Sequence, residues 1–327
     1  MRAIVIRRPG GPEVLELATV PELAPARGEV RVRVRAAGVN RADLLQRMGQ
    51  YKAPPDAPAD IPGMEYAGEI DAVGDGVLGR AVGERVFGLV PGGAYAEQVL
   101  GPARAVAAMP AQLSFVEAAS IPEAFITAWD AMVTQARLGA GERVLIHAVG
   151  SGVGTAALQI ARAIGAEAIG TSSSASKLDP ARALGLHHGI VVSAAGEFAK
   201  EVLTRASGGV DVVCDLVGGA YVAEDLRCVA LQGRIVVVGL LAGARVDLDL
   251  GSMLHRRVEM RGTVMRSRPL EERIATMQAF ARHVVPLLAS GALRAVVDRT
   301  FPLGEAGSAH VRVASNEGFG KVVLEVE

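Results

Sequence analysis

The rhythm of apolar and polar positions changes twice along the chain. From Met1 to about Ala119, short runs alternate apolar with polar residues between Gly and Pro punctuation. Examples are EVRVRVRAAGV (Glu29 to Val39), EYAGEIDAVG (Glu65 to Gly74) and GERVFGLV (Gly83 to Val90). A period of two in such short runs predicts half-buried strands at close spacing, and a partly open β-barrel is the simplest packing for them. The proline-rich segment MGQYKAPPDAPADIPG (Met48 to Gly63) has no period and predicts a surface loop, of a length that often carries function.

After SIPEAFITAWDAM the pattern becomes strand and helix in alternation. RVLIHA (Arg143 to Ala148), EAIGT (Glu167 to Thr171), GIVV (Gly189 to Val192), DVVCDL (Asp211 to Leu216), RIVVVG (Arg234 to Gly239) and RVEMRGTVM (Arg257 to Met265) read as strands. Helical spacing fills Gly152 to Ile164, Lys177 to Leu184, Glu197 to Ala206 and Ala220 to Val229. The pattern predicts an α/β domain with an open, mostly parallel, doubly wound sheet, which binds ligands at the carboxyl ends of its strands. The tail holds a predicted helix (Leu270 to Ser290) and alternating runs, LRAVVDRTFPL and FGKVVLEV, that resemble the N-terminal strands. The chain is therefore predicted to return to its first domain, giving residues 1–119 with 267–327 as one domain and 120–266 as the other.

A length of 327 residues suits two such domains. The formal net charge of −1 gives no basic footprint, so no nucleic-acid partner is expected. The two cysteines, Cys214 and Cys228, sit in apolar segments and predict buried thiols rather than a disulfide framework or a thiolate metal cluster. MRAIVIRRPGG alternates like a strand and lacks the apolar core of a secretory leader. The longest apolar run, IVVVGLLAGA, is short and broken by glycines, so a cytoplasmic protein without membrane association is expected.

Candidate chemistry centres on IHAVGSGVGTAALQIA (Ile146 to Ala161). A dinucleotide site needs a strand, a tight glycine turn and a helix whose free N–H groups face the pyrophosphate, and all three occur here in order. Val149 and Ser151 stand where the first two glycines of the strict G-x-G-x-x-G spelling would be, leaving Gly152 and Gly154 with Val153 between them. The competing reading is a packing turn. At the end of the second strand, where an NAD site carries Asp or Glu, the sequence reads GTSSSASK. Hydroxyls and a cation suit a 2′-phosphate, so Ser172, Ser173 and Lys177 predict NADPH; the alternative is a polar loop entering a helix.

Several ordered motifs carry a family likeness: GVNRADLLQRMGQY, PGMEYAGEI, PGGAYAE, IPEAFITAW, VGSGVG, GTSSSASK, CDLVGG and FGKVVL. Together they resemble the zeta-crystallin-like NADPH:quinone oxidoreductases, zinc-free members of the medium-chain dehydrogenase/reductase superfamily. The wording is most similar to the p53-inducible quinone oxidoreductase group. The resemblance implies a discontinuous GroES-like catalytic domain, an inserted Rossmann domain, and a cleft between them where nicotinamide meets substrate. It also implies a homodimer through the Rossmann sheet edge at RVEMRGTVM; the alternative there is an edge protected by Arg257, Glu259 and Arg261.

Zinc-dependent relatives carry Cys in place of Asn40 and His in place of Met64, so the resemblance implies no metal and an acceptor that is already electrophilic. It implies catalytic roles for Asn40 and Tyr51, as donors to a developing quinol oxygen, and for Thr127 beside the nicotinamide carboxamide. Cofactor contacts are implied at Ser151, Gly152, Val153, Gly154, Ser172, Ser173, Lys177, Gly218, Gly239, Leu240, Val264 and Asn316. A Tyr that many relatives use near the adenosine phosphate is replaced by Val192. His187, His188 and His255 are possible phosphate neighbours, although a lone His near a turn is usually just exposed; Arg41 and Asp43 are a possible ion pair, and Glu65 a structural carboxylate. The leading expectation is hydride transfer from NADPH to a small-molecule quinone. Enoyl or alkenal reduction is the alternative, with Arg47 and Lys52 available to a thioester substrate. A non-catalytic, crystallin-like binding role is the third reading.

Overall fold

Alternation of valine with arginine along Glu29–Val39 puts Val30, Val32 and Val34 on a buried face, and this strand organises the first half of the fold. The computed structural model describes residues 1–193 and 196–327, which divide into two units, Met1–Ile126 with Met265–Glu327, and Thr127–Val264.

In the first unit, β1 (Arg2–Ile6) and β2 (Leu15–Thr19) form an antiparallel ribbon. β3 (Glu29–Val39), β4 (Glu65–Val73), β5 (Arg85–Leu89), β6 (Gln98–Pro102) and β7 (Val106–Ala108) are joined by the chain's last two strands, β14 (Val297–Pro302) and β15 (Lys321–Glu325). The sheet order is β14-β15-β3-β4-β5-β7, with β6 also paired to β3. The C-terminal return thus supplies two strands, and β15 pairs antiparallel with the end of β3. Tyr66, Tyr95, Val32, Val86 and Leu324 close the core of this partly open barrel. Such burial is its main stabilisation.

The second unit carries β8 (Arg143–Ile146), β9 (Glu167–Ser172), β10 (Leu186–Val191), β11 (Val210–Asp215), β12 (Val229–Val237) and β13 (Glu259–Gly262), all parallel, in the order β10-β9-β8-β11-β12-β13. This is the doubly wound sheet the alternation predicts, and the order reverses beside β8, where such sheets bind ligands. Cys214 and Cys228 are buried free thiols, and burial pushes the Cys214 thiol up to about 12. No helix among the described residues is long and apolar enough to cross a membrane.

Two departures have local causes. The single helix expected over 270–290 is broken into Leu270–His283 and Val285–Ala289, because Pro286 has no N–H for a continuous ladder. The helical stretch from Pro122 to Gln135, which ends in a π-helical segment, has no counterpart among the predicted elements. Most of its residues are buried and apolar, so its polar face is too narrow to give a clear amphipathic signal.

Candidate active site

In the second unit, β8 hands over to the helix Gly152–Ile164 through the glycine turn. Ser151 is extended and caps that helix: its hydroxyl accepts from Gly154 N at 3.0 Å. The first-turn amides of Gly152 and Val153 have no acceptor within a helix and face outward from its positive end, the arrangement that holds a phosphate. Val149 keeps an ordinary backbone, and the left-handed residue of the turn is Ala148, at φ 50°.

The carboxyl end of β9 carries Ser172, buried, whose hydroxyl accepts from Ser174 N at 3.1 Å, and then Ser173, exposed. Lys177 ends the 3-10 turn Ala175–Lys177, and its stem lies across the glycine turn: a Cβ built on Gly150 would stand 2.6 Å from Lys177 Cδ. The structure therefore brings the cation expected for a 2′-phosphate onto the turn expected for the pyrophosphate. After β11, Asp215 Oδ1 accepts from Val217 N at 2.7 Å and Gly218 N at 2.9 Å. Gly218 takes φ 69°, and a Cβ there would meet Gly239 O at 2.7 Å and Leu240 Cδ2 at 3.0 Å, so Gly218, Gly239 and Leu240 form one patch. Val264 is half exposed at the end of this unit.

In the first unit, Asn40 ends β3's run and caps the helix Arg41–Arg47. Its amide is held at both ends. Asn40 Nδ2 donates to Glu65 Oε1 at 2.8 Å, and Lys321 Nζ donates to Asn40 Oδ1. Lys321 Nζ also donates to Val39 O at 3.0 Å and lies 2.6 Å from Glu65 Oε1, while Glu65 Oε2 accepts from Glu123 N at 2.8 Å. Glu65 is fully buried, so Lys321 compensates a charge that would otherwise be stranded.

Tyr51 lies in the proline-rich loop, with the Arg266 guanidinium 5.3 Å from its ring centroid. Burial raises the Tyr51 phenol above its ordinary range, with Arg266 pulling the other way, so Tyr51 stays a protonated donor at neutral pH. Arg266 is itself buried, donating to Pro91 O and Gln46 Oε1, both at 2.6 Å. Thr127 is buried within the helix Pro122–Trp129.

Other expectations are corrected. Arg41 and Asp43 do not pair: Arg41 donates to Val313 O at 3.0 Å and to Asn316 Oδ1, and the fully buried Asp43 completes the capping box of its own helix, Arg41–Arg47. Asp43 accepts from Asn40 N at 2.8 Å, Gly63 N at 3.2 Å and Tyr95 Oη at 3.1 Å, and burial raises its carboxyl to about 6. Arg47 is not a surface cation, since it is buried and donates to Gly10 O at 3.2 Å. His187 and His188 sit at the start of β10, where His188 faces Glu167 at the start of β9. Ser172 ends β9 five residues further on, about 17 Å away at strand rise, so neither histidine neighbours it. His255 is exposed on the helix Leu250–Arg256. Val192 is buried in the core of this unit, against a cluster on which Tyr221 also packs. Sequence reasoning missed Lys321 and Arg266, which lie more than 200 residues from the groups they hold.

Zinc does not fit the Asn40 position. The oxygens of Asn40 and Glu65 already face an ammonium, and Met64 offers a buried thioether where a zinc site needs imidazole or thiolate. NADPH fits the second unit, through the outward amides of Gly152 and Val153, the carboxylate-free end of β9 and the nearby Lys177.

Residues 26–111 match the alcohol dehydrogenase GroES-like domain family, and residues 152–282 match the family described as zinc-binding dehydrogenase. The quinone oxidoreductase of Rattus norvegicus is 33% identical over 328 residues, covering 99% of this chain and 97% of that protein. The phthioceranic/hydroxyphthioceranic acid synthase of Mycobacterium tuberculosis is 36% identical over 331 residues, which is 98% of this chain. This chain spans only 15% of the length of that synthase. Among solved structures, JamJ enoyl reductase in its apo form superposes with a TM-score of 0.88 over 100% of both chains, at 26% identity.

Proposed function

Because the chain belongs to the quinone oxidoreductase branch of the medium-chain dehydrogenase/reductase family, we propose that it is a zinc-independent reductase transferring hydride from NADPH to a quinone. The observation that carries this reading is the Asn40 clamp, in which a lysine ammonium faces the oxygens of Asn40 and Glu65 and leaves them unsuited to a metal ion. With no Lewis acid to polarise an alcohol, the acceptor has to be electrophilic already, and a quinone is.

Bound NADPH supplies the hydride. On the cofactor side, the amides of Gly152 and Val153 would hold the pyrophosphate, Ser172, Ser173 and Lys177 the 2′-phosphate, and Gly218, Gly239 and Leu240 would border the dinucleotide. Ser151 and Gly154 keep the helix start in place. Thr127 and Val264 would border the nicotinamide. Asn316, read as a cofactor contact, accepts from Arg41, which fixes it beside the Asn40 helix. On the acceptor side, Glu65 and Lys321 leave Asn40 one N–H to donate, and Tyr51 supplies a second donor for the negative charge that develops on the quinone oxygen. Water or Tyr51 delivers the proton that completes the quinol.

A cytoplasmic homodimer through the edge strand β13 completes the reading. Enoyl reduction is the second reading, favoured by the fold shared with JamJ enoyl reductase. The test is anaerobic oxidation of NADPH and NADH with 1,2-naphthoquinone, 1,4-benzoquinone and crotonyl-CoA, with and without chelator. Chelator-resistant, NADPH-preferring quinone turnover is expected. Faster turnover of crotonyl-CoA than of either quinone would sink the quinone assignment in favour of enoyl reduction.

A further inference from the structure

Beneath the three loops of the cofactor side lies a polar cluster that the proposed chemistry does not use. His147, Asp215 and Asp225 are each fully buried. His147 Nδ1 lies 2.8 Å from Thr171 Oγ1, and Nε2 lies 2.8 Å from Asp225 Oδ1. The rings of Phe198 and Tyr221 pack on the imidazole at centroid distances of 4.7 Å and 4.9 Å. Both ring nitrogens are spent on neighbours, so the imidazole is clamped rather than open to a metal ion.

Three members of the cluster sit next to a cofactor loop, and Asp225 reaches it from the helix Ala220–Cys228. His147 directly precedes Ala148, Thr171 directly precedes Ser172, and Asp215 receives the amides of Val217 and Gly218. The consequence is greatest at Ala148. This residue holds φ 50°, which an L side chain resists, and such a conformation persists only where its surroundings over-determine it. Ala148 O in turn accepts from Ser151 N at 2.9 Å, and a Cβ on Gly154 would stand 2.3 Å from that same oxygen. The carbonyl is therefore wedged against the start of the helix whose amides face the phosphate.

We propose that His147, clamped between Thr171 and Asp225, is a positioning residue for NADPH, holding Ala148 left-handed so that the amides of Gly152 and Val153 present correctly to the pyrophosphate. This rests on the NADPH reading above. A core residue that only stabilises the sheet would lower the melting temperature and leave the affinity of the folded protein unchanged. A positioning residue alters affinity, and the alteration is relieved by a residue that adopts the left-handed turn without strain.

The test is NADPH affinity, from nicotinamide fluorescence or calorimetry, for the wild type, Thr171→Val, His147→Asn, and each combined with Ala148→Gly, with melting temperatures in parallel. Thr171→Val keeps the branched strand residue and removes only the hydroxyl, so it reports even if the His147 variant fails to fold. The expected result is a loss of about tenfold in affinity for the single variants, and recovery of most of it when Ala148→Gly is added, since glycine takes the left-handed region freely. Wild-type affinity in folded Thr171→Val, or a loss that Ala148→Gly leaves untouched, overturns the positioning role alone. A wild-type protein that binds no NADPH overturns the cofactor reading and this inference with it.

Discussion

The two units hold their working groups by opposite means. In the first, a single side chain is fixed by other side chains: Asn40 is gripped by Glu65 and Lys321, and Tyr51 is covered by Arg266. In the second, backbone groups are presented by turns, and side chains serve mainly to hold the turns: Ser151 caps, Asp215 ties a loop, and Lys177 lies over Gly150. On the proposed function, the difference follows from what each unit would recognise. A pyrophosphate is met by outward amides at a helix start. A developing oxyanion needs one donor fixed at one point, and a buried ion pair fixes it.

That contrast predicts where substitutions hurt most. Lys321→Met should be the costliest, because it leaves the Glu65 carboxylate buried without its cation and Asn40 held at one end only. A loss of about 3–5 kcal/mol is expected in denaturant unfolding. Adding Glu65→Gln should recover a good part of that stability but not quinone turnover, because the Asn40 oxygen remains unheld. If Lys321→Met unfolds like the wild type, the clamp is not the support described.

On the cofactor side, Lys177→Glu should weaken NADPH by roughly a hundredfold, about 2.7 kcal/mol, and leave NADH within a few-fold. Equal losses for both cofactors would remove Lys177 from the 2′-phosphate.

The Asp43 cap gives a pH signature confined to the first unit. Its folded carboxyl titrates near 6, above the ordinary 3.8, with burial the dominant cause. The stability from its protonation is thus full below 3.8 and is lost as pH rises through 6. Relative to Asp43→Asn, the wild type should lose on the order of 2 kcal/mol between about pH 4 and pH 7, then run parallel. A pH-independent difference between the two would contradict the raised carboxyl.

The smallest effect should come from Gly150→Ala. Gly150 is not left-handed, so the backbone tolerates a Cβ, but that Cβ displaces the Lys177 stem. NADPH affinity should fall by only a few-fold, with NADH unchanged and the melting temperature within a degree or two, as for a shift in one flexible side chain.

How much of this was legible in the sequence follows the same divide. The parallel sheet, the helix Gly152–Ile164 and the glycine turn before it could be read because their determinants are local: an apolar strand, small residues and a helical period in consecutive positions. The place of Ser172 and Lys177 at the end of the next strand could be read for the same reason. The grip on Asn40 was not, since Glu65 lies 25 residues away and Lys321 lies 281 residues away, and no periodic signal links them. Arg41 beside Asp43 looked like an ion pair in one dimension. In the fold, a helix cap claims the carboxylate and the chain end after Val313 claims the guanidinium. Of the two readings open for His187 and His188, the plain surface one fits, because proximity in sequence to a cofactor strand does not say which end of the sheet a residue occupies.

The most direct test is a single anaerobic turnover: the protein mixed with one equivalent of NADPH and then with 1,2-naphthoquinone, with absorbance followed at 340 nm. The account predicts rapid loss of the NADPH band with one quinone reduced per cofactor, slowed at least tenfold in Tyr51→Phe, whose NADPH affinity stays at the wild-type value. Retention of the band with NADPH demonstrably bound would contradict the proposal that this protein reduces quinones.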